Sequence, residues 1–395
     1  MAQKEVYKSK NKNVNFVKQH KSDKIASAVN NNRQINNLNN SDNNTSPVSE
    51  SAQLLPDDLL PFEKIKRHIF VKRKAETTNK FGCDPDNRPI KELLNYGIIN
   101  VDKSTGPTSH QVSAYVQQIL KIDKSGHSGT LDPLVTGVLP TAIGRATRVV
   151  QMLLTAGKEY VAIMHIHKEV PEEEIRKICE EFVGKIMQLP PVKSAVKREI
   201  RERNVYYLEI LEIDGQDVLF KVGTQAGTYI RKLIHDIGQK IKIDGQPVGA
   251  QMQELRRTKA GCFDESTLAT LHDLRDALWY YENEKNETYL RKVIKPVEFA
   301  IQHIPKIWIL DSAIEPLCHG SFLAIPGISK LESKINPNEK YNDKVAVLTL
   351  KGELVGLGAA KMTSEEIMKK DHGIAVKMEK IFMLPGTYPR VEIVK

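Results

Sequence analysis

The spacing of apolar residues predicts a mixed series of short helices and strands between residues 90 and 237. Apolar residues recur every three or four positions in the helical windows and at every second position in the strand windows. The predicted helices cover residues 90–96, 111–120, 145–154, 171–183 and 228–237, and Gly238 is expected to end the last of them. The predicted strands cover residues 97–101, 160–167, 205–213 and 218–222, with Asp214-Gly215 as a hairpin turn between the last two. Because strand–helix–strand repeats are missing from this order, it predicts an α+β fold with a largely antiparallel sheet.

The pattern changes near residue 305, where short apolar runs alternate with Gly and Pro turns. Four such runs, at residues 306–310, 345–349, 354–362 and 376–383, predict a small β-barrel-like module. Residues 1–55 are rich in Asn, Lys and Ser, and we expect a disordered tail because they can bury little apolar surface. Residues 56–84 form a basic arm that is either solvated or packed along the next domain. The predicted domains are therefore this tail, this arm, a folded domain over residues 85–303 and a second one over residues 304–395.

Composition narrows the class of protein. Lys and Arg outnumber Asp and Glu by 58 to 49, a net charge of +9. This excess favours an anionic partner such as nucleic acid or a membrane surface, although a basic surface can also simply be solvated. The four cysteines are isolated, which gives neither a zinc motif nor a disulfide framework and suits a reducing cytosol. The polar N-terminus does not resemble a secretory signal, and no apolar run is long enough to span a membrane.

The most unusual stretch is Gly-His-Ser-Gly-Thr-Leu-Asp-Pro at residues 126–133. Its small side chains would let a bulky ligand approach its single carboxylate closely. Asp132 is therefore a candidate nucleophile or base. The alternative is a structural role, in which Asp132 caps a helix that begins with Pro133.

Two further stretches carry aromatic and basic side chains. In Gly227-Thr228-Tyr229-Ile230-Arg231, the arginine can pair with a carboxylate and the tyrosine can stack on a nucleobase. Tyr160, at the start of a strand, could accept an extruded base. Each residue also has an ordinary interpretation: Arg231 as a surface arginine, Tyr229 as a core tyrosine and Tyr160 as a half-buried strand tyrosine. Residues 193–203 contain five basic side chains, which suit either phosphate contacts or a charged loop.

Cofactor chemistry is not indicated. His165 and His167 share a strand face, but two histidines do not define a metal site. The Gly-rich segments match neither a dinucleotide fingerprint nor a phosphate-binding loop. We therefore expect neither a metal nor an organic cofactor.

Taken together, these segments resemble one known family. GHSGTLDPLVTGVLP is similar to the catalytic motif of TruB-type pseudouridine synthases, and INVDKSTGPTSH, KEYVA, GTYIRKLIHDIG and QELRRTKAG resemble further elements of that family. LPPVKSAVKREIRERNVYYLEILEIDG and DPDNRPIKELLNYGIINVDK resemble its archaeal and eukaryotic dyskerin-like branch. The C-terminal part, from about residue 306, is similar to a PUA RNA-binding domain. The resemblance covers roughly residues 85–395.

This resemblance implies roles for individual residues. Asp132 is expected to be the catalytic aspartate, and Arg231 to pair with it and keep it anionic in a dry pocket. Tyr160 is expected to stack on the flipped base. The resemblance further implies that Tyr229 and Leu255 line the pocket and that His127 lies beside the substrate loop. It places Lys103 in a motif that shapes the pocket from outside. Ser104 replaces the proline that the family usually carries. Leu134 stands where many dyskerin-like members carry lysine and bacterial members carry leucine.

The implied reaction isomerises uridine to pseudouridine, in uridine-55 of the tRNA T-loop or, within an H/ACA guide ribonucleoprotein, in rRNA. The N1–C1′ bond breaks and a C5–C1′ bond forms without redox change, so no cofactor is needed. One carboxylate could attack C1′ or remove a ribose proton, and the sequence leaves both routes open. The implied partners are tRNA or guide RNA with its rRNA target, a small zinc-ribbon-type protein, a glycine-arginine-rich protein and a kink-turn-binding protein. An RNA-binding scaffold without activity is the main alternative, and a zinc-dependent RNA-modifying enzyme is disfavoured by the scattered cysteines.

The expected source is archaeal, since the long Lys/Glu-rich C-terminal tail of nucleolar eukaryotic members is missing. The expected location is then cytoplasmic, and it would be nucleolar in a eukaryote.

Overall fold

The computed structural model describes residues 58–190, 197–340 and 342–388. The predicted disordered tail lies outside these residues. The α-helices are α1 Ile90–Leu93, α2 Ser109–Leu120, α3 Val150–Thr155, α4 Glu172–Glu180, α5 Ile230–Lys240, α6 Leu271–Glu284, α7 Thr288–Val293, α8 Asp311–Cys318 and α9 Ser364–Lys369. Short 3₁₀ helices cover Pro85–Asn87, Gly144–Val149, Glu265–Thr267, Val297–Ile301 and Ile325–Gly327.

The strands are β1 Ile69–Val71, β2 Gly97–Lys103, β3 Ser125–His127, β4 Thr136–Ile143, β5 Lys158–Ile166, β6 Gly184–Gln188, β7 Arg201–Asp214, β8 Asp217–Thr224, β9 Lys242–Ile243, β10 Gln246–Pro247, β11 Ala250–Ala260, β12 Ile294–Pro296, β13 Lys306–Ile309, β14 Leu323–Ala324, β15 Ile328–Glu332, β16 Lys344–Leu348, β17 Leu354–Ala360 and β18 Ile374–Ile381. Strands β2 to β8, β11 and β12 build one sheet, in the order β12-β2-β4-β11-β5-β8-β7-β6 with β3 beside β4. Its pairs are antiparallel except β4 with β11. The predicted α+β fold with a largely antiparallel sheet is confirmed.

Local sequence signals explain several of these elements. Thr108 caps α2, because its hydroxyl accepts from the backbone of Gln111 while the Gln111 side chain accepts from the backbone of Thr108. Gly215 adopts a φ of 58° between β7 and β8, as the hairpin prediction requires. The predicted helix over residues 145–154 is in part a 3₁₀ helix, over Gly144–Val149.

The prediction that Gly238 ends a helix is wrong. Helix α5 continues to Lys240, and Gly238 is buried inside it. A Cβ at this position would lie 2.1 Å from the backbone nitrogen of Ala250. The glycine is therefore required for the close approach of the chain entering β11, not for a left-handed turn.

The second sheet has the order β1-β15-β13-β16-β17-β18-β14, in agreement with the β-rich module predicted from residue 305. Strand β1 belongs to the basic arm and pairs with β15, so Ile69 lies opposite Glu332. Lys72 of the arm also donates to the carbonyls of Met368 and Lys370. This part of the arm is packed and not solvated, but it packs on the C-terminal sheet and not along the next domain, where one of the two alternatives placed it.

The two sheets share one hydrophobic cluster. It contains Tyr96 and Val138 from the first sheet region together with Leu348, Leu354 and Phe382 from the second. Polar contacts cross the same boundary, because the Arg145 guanidinium donates to the carbonyl of Phe382 and the Leu354 amide donates to Glu298. The C-terminal module is therefore packed firmly against the first sheet region. The exact domain boundaries remain a prediction.

Candidate active site

Asp132 lies at the first position of a tight turn between two core residues. Leu131 and Val135 are buried in one hydrophobic cluster, and the amide of Val135 donates to the carbonyl of Asp132 at 3.0 Å. Ser109, the first residue of α2, holds the entry to the turn. Its hydroxyl donates to the Leu131 carbonyl and accepts from the Leu131 amide. The carboxylate thus projects from a turn whose two ends are fixed.

Lys103 fixes the same turn from beneath. Its ammonium is completely buried and donates to three carbonyls, those of Ser104 at 3.0 Å, Pro133 at 3.0 Å and Val135 at 2.7 Å. Burial lowers the pKa of Lys103, and the neighbouring Arg257 adds to this effect. The side chain predicted to shape the pocket from outside therefore acts through the backbone of the Asp132 turn.

Arg231 forms an ion pair with Asp132. The two side chains are 58% and 52% exposed, so the pair is open to solvent in the free protein. This exposure differs from the dry pocket that the resemblance implied. Exclusion of water from the pair therefore requires a bound substrate that covers it.

Tyr229 and Arg231 are positioned by a residue that the sequence analysis did not select. Tyr229 precedes α5 and supplies no side-chain cap of its own. Instead, the buried Gln188 at the end of β6 binds both backbone groups of Tyr229. Its amide oxygen accepts from the Tyr229 N–H at 3.0 Å, and its amide nitrogen donates to the Tyr229 carbonyl at 3.2 Å. Gln188 therefore fixes the start of the helix that carries Arg231.

Tyr160 on β5 and Leu255 on β11 lie on neighbouring strands. Tyr160 is buried in the same cluster as Leu131 and Val135, and the partly buried Leu255 packs against that cluster. Tyr160 is 9% exposed, so little of its side chain is open to solvent in the free protein.

Arg257 was also missed by the sequence analysis. Its guanidinium is buried and donates to the carbonyls of Val138 at 2.7 Å and Gly129 at 3.2 Å, and it has a side-chain hydrogen bond with Tyr160. Burial lowers the pKa of Arg257. The residue lies in the QELRRTKAG segment, where the only residue selected was Leu255. Its contacts join the Asp132 loop to the Tyr160 strand.

His127 lies at the start of the Asp132 loop, with its ring centroid 4.8 Å from that of His110. Its Nδ1 is buried and has no hydrogen-bond partner among the described residues. Burial, with smaller contributions from His110 and Arg257, lowers the pKa of His127 to about 4. His127 is therefore neutral at pH 7.

The remaining candidates are the basic segment over residues 193–203 and the two histidines His165 and His167. The Arg203 guanidinium donates to the Gly227 carbonyl, which places part of the basic segment beside the turn before α5, while Lys193 lies outside the described residues. His165 pairs with Asp217 at 2.7 Å. Within the described ranges there is no group of three or more metal-ligating side chains and no helix suited to crossing a membrane.

Family models match almost all of this architecture. Residues 117–230 match the TruB family pseudouridylate synthase N-terminal domain, and residues 231–302 match the tRNA pseudouridylate synthase B C-terminal domain. Residues 305–382 match the PUA domain, and residues 58–113 match the DKCLD domain.

Individual relatives are similar over most of their length. The chain is 56% identical to a probable tRNA pseudouridine synthase B of Nanoarchaeum equitans, over 84% of this chain and 92% of that protein. It is 54% identical to the protein of the same name from Pyrococcus abyssi, over 87% and 98%. Among solved structures, a Cbf5-Nop10-Gar1 complex contains a chain 52% identical with a TM-score of 0.78, covering 85% of this chain and 99% of that one. An H/ACA ribonucleoprotein bound to a substrate RNA containing 2′-deoxyuridine contains a chain 50% identical with a TM-score of 0.75, covering 86% and 99%.

Proposed function

Because this chain belongs to the TruB family of pseudouridylate synthases, we propose that it isomerises uridine to pseudouridine in RNA with Asp132 as the catalytic carboxylate. The observation that carries the assignment of Asp132 is its ion pair with Arg231 on a turn fixed at both ends. A guanidinium in contact with a carboxylate stabilises its charged form, and the anion is the form needed for attack on C1′ or for removal of a ribose proton.

The other site residues bind the base or position the loop that carries Asp132. Tyr160 stacks on the base while it is detached, and Leu255 and Tyr229 line the pocket around it. Extruding the base costs a few kcal/mol, which stacking on an aromatic ring offsets in part at about 1–3 kcal/mol per base. His127, neutral at pH 7, places an uncharged ring beside the substrate. Lys103 and Arg257 touch backbone carbonyls of the Asp132 loop and act as positioning residues.

The RNA substrates follow from the relatives. Archaeal relatives are named as probable tRNA pseudouridine synthases, and solved relatives assemble with Nop10 and Gar1 or form an H/ACA ribonucleoprotein with substrate RNA. This chain accordingly acts on tRNA, on rRNA as the catalytic subunit of a guide ribonucleoprotein, or on both. Its protein partners are the zinc-ribbon-type and glycine-arginine-rich subunits, with a kink-turn-binding protein as the third. The PUA domain supplies additional RNA contacts, and the archaeal relatives support action in the cytoplasm of an archaeal cell.

The alternative of an RNA-binding scaffold without activity is disfavoured. A scaffold has no need for Arg231 to meet Asp132, nor for two buried cations, Lys103 and Arg257, to hold the Asp132 loop. Such buried cations are costly to maintain, and here they act on the loop that carries the carboxylate.

The test is pseudouridine formation in an unmodified tRNA transcript, first with this protein alone and then with guide RNA, its rRNA target and the partner proteins. Turnover of the tRNA by the protein alone establishes guide-independent activity. Turnover of the rRNA target only in the assembled complex establishes the guide-dependent role. Absence of turnover in both settings contradicts the proposed function.

A further inference from the structure

Glu159, the residue before Tyr160, is a buried carboxylate that the proposed mechanism does not use. It is 5% exposed, and carboxylates are almost never buried to this extent without specific partners. Successive side chains of a strand point to opposite faces of the sheet, and Tyr160 and Val161 of β5 accordingly belong to different hydrophobic clusters. The Glu159 carboxylate therefore lies on the face opposite the Tyr160 ring, and the sheet separates it from a base stacked on that ring.

One carboxylate oxygen of Glu159 binds a β-bulge in the neighbouring strand β11. Arg257 of β11 lies opposite Tyr160. The register then shifts, so that Lys259 lies opposite Glu159 and Thr258 is the extra residue. The buried Thr258 hydroxyl donates to Oε1 of Glu159 at 2.7 Å. Because a bulge re-aims the side chains beside it, this bond helps to fix the strand that flanks Tyr160 on one side.

The other carboxylate oxygen binds a second bulge, in β7, on the other side of β5. The register of β7 against β8 shifts between Val205 and Tyr207, and the Tyr207 hydroxyl donates to Oε2 of Glu159 at 2.5 Å. The phenol reaches Glu159 across Gly223 of β8, where a Cβ would lie 2.2 Å from the Tyr207 ring. Burial, with a smaller contribution from Glu159, raises the pKa of Tyr207, so the phenol stays protonated and remains a donor.

We propose that Glu159 is a positioning residue that fixes Tyr160 for catalysis by holding one bulge on each side of β5. This inference rests on the proposed function, in which Tyr160 stacks on the detached base. A side chain remote from the reacting atoms can still act on the rate, because a displacement of about 1 Å in a positioned group costs up to about 100-fold. Each bulge is held by a different oxygen, so the two contributions can be removed separately.

The alternative is that Glu159 serves only to anchor the basic arm. The Lys259 ammonium lies 3.8 Å from Oε2 of Glu159 and 3.2 Å from Oε1 of Glu63, which belongs to the arm. The distances favour the bulges, because 2.5 and 2.7 Å are hydrogen-bond lengths and 3.8 Å is not. The two roles also differ in which substitution slows the reaction.

The experiment measures single-turnover pseudouridine formation at saturating protein, under conditions in which the wild-type protein is active. RNA affinity and thermal unfolding midpoints are measured on the same proteins. Tyr207→Phe and Thr258→Val each remove one hydroxyl and keep the shape of the side chain, and they are also combined. Tyr388→Phe is the matched control, since the buried Tyr388 phenol donates to the buried Glu353 at 2.8 Å within the C-terminal module.

Three further variants separate positioning from anchoring. Tyr160→Leu removes the ring that is to be positioned, and Tyr207→Phe is tested again in that background. Glu63→Gln weakens the ion pair of the arm with Lys259 and leaves both bulges held. Glu159→Gln loses the charge that faces Lys259 but can still bind both hydroxyls, because a hydroxyl accepts as well as donates.

Tyr207→Phe and Thr258→Val are each expected to slow the reaction by about 3- to 10-fold, and the double variant by up to about 100-fold, with RNA affinity within twofold of wild type. Tyr388→Phe should lower the midpoint to a similar extent and keep the rate. Glu63→Gln and Glu159→Gln should retain most of the rate. In the Tyr160→Leu background, Tyr207→Phe should add less than a twofold effect, because no ring remains to be positioned.

Several results would overturn this role for Glu159. They are a single-variant rate within twofold of wild type for both Tyr207→Phe and Thr258→Val, an undiminished effect of Tyr207→Phe in the Tyr160→Leu background, or a defect of the same size in Glu63→Gln. The single variants carry the test even if the double variant does not fold. Failure of the wild-type protein to form pseudouridine would instead contradict the proposed function itself.

Discussion

Gln188→Ala should slow catalysis more than it weakens RNA binding. Gln188 is 2% exposed and binds both backbone groups of Tyr229, one residue before the helix that begins at Ile230 and carries Arg231. Truncation removes both bonds, and the start of α5 loses its link to β6. Arg231 is then held less firmly in its position opposite Asp132.

The magnitude follows from these contacts. Two neutral hydrogen bonds are worth about 1 kcal/mol each, so the free energy of unfolding should fall by about 2 kcal/mol. A displacement of about 1 Å at a catalytic group costs up to about 100-fold in rate, so kcat should fall by roughly 10- to 100-fold. RNA affinity should change little, because the C-terminal module and the basic surface are untouched.

The assay is single-turnover pseudouridine formation at saturating protein, with RNA affinity measured separately by equilibrium binding. Gln188→Glu is the near-isosteric variant, which keeps the acceptor for the Tyr229 N–H but loses the donor to its carbonyl. Its rate should lie between those of wild type and Gln188→Ala. Ser364→Ala is the matched stability control, because Ser364 is fully buried and also makes two hydrogen bonds to backbone, with Glu332 and Ile335 in the C-terminal module. It should lower stability by a similar amount and leave kcat unchanged.

One result would refute this reasoning. If Gln188→Ala is destabilised like Ser364→Ala but retains kcat within twofold of wild type, Gln188 serves only the fold, and other contacts position Arg231.

The remaining predictions concern stability. Burial lowers the pKa of His303 to about 3, from about 6.5 in the unfolded chain. Below pH 6.5 the unfolded chain therefore binds a proton more readily than the folded protein. On this account the free energy of unfolding should fall by about 2 kcal/mol between pH 6.5 and 5. Chemical denaturation across that range should show this slope in wild type and a flatter one in His303→Gln, and equal slopes would contradict it. Gly238→Ala should lower the free energy of unfolding by at least about 1–3 kcal/mol, because its Cβ meets the backbone of Ala250. Gly245→Ala tests a glycine without a close contact. No atom lies within 4 Å of a Cβ there, and only the φ of +77° opposes the change. A midpoint for Gly238→Ala equal to that of wild type would show that the helix and β11 can separate at little cost.

The sequence predicted the elements whose signals are local. The apolar spacing of residues 111–120 and the Asp214-Gly215 turn are signals contained within a few residues, and the fold class followed from the order of the predicted elements. Gly238 shows where local signals mislead. A glycine near a helix end fits a cap, but here it is required by a strand that passes the helix.

The sequence predicted only those residues of the candidate site that were assigned roles through recognisable motifs. The resemblance placed Arg231 with Asp132, and the structure brings the two into contact. Gln188 and Arg257 could not be found in this way, because each acts on backbone groups distant in sequence. Gln188 and Tyr229 are 41 residues apart, and Arg257 lies 128 residues from Gly129. Their roles depend on which strand ends the fold brings together.

The most direct test of the central claim is Asp132→Asn, with pseudouridine formation and RNA affinity measured on the same RNA. Asp123→Asn is the control, because it makes the same chemical change at an exposed carboxylate just beyond α2. The amide can neither attack C1′ nor accept a ribose proton, so turnover should be abolished while RNA affinity remains close to that of wild type. Near wild-type turnover by Asp132→Asn would contradict the assignment of Asp132 as the catalytic carboxylate.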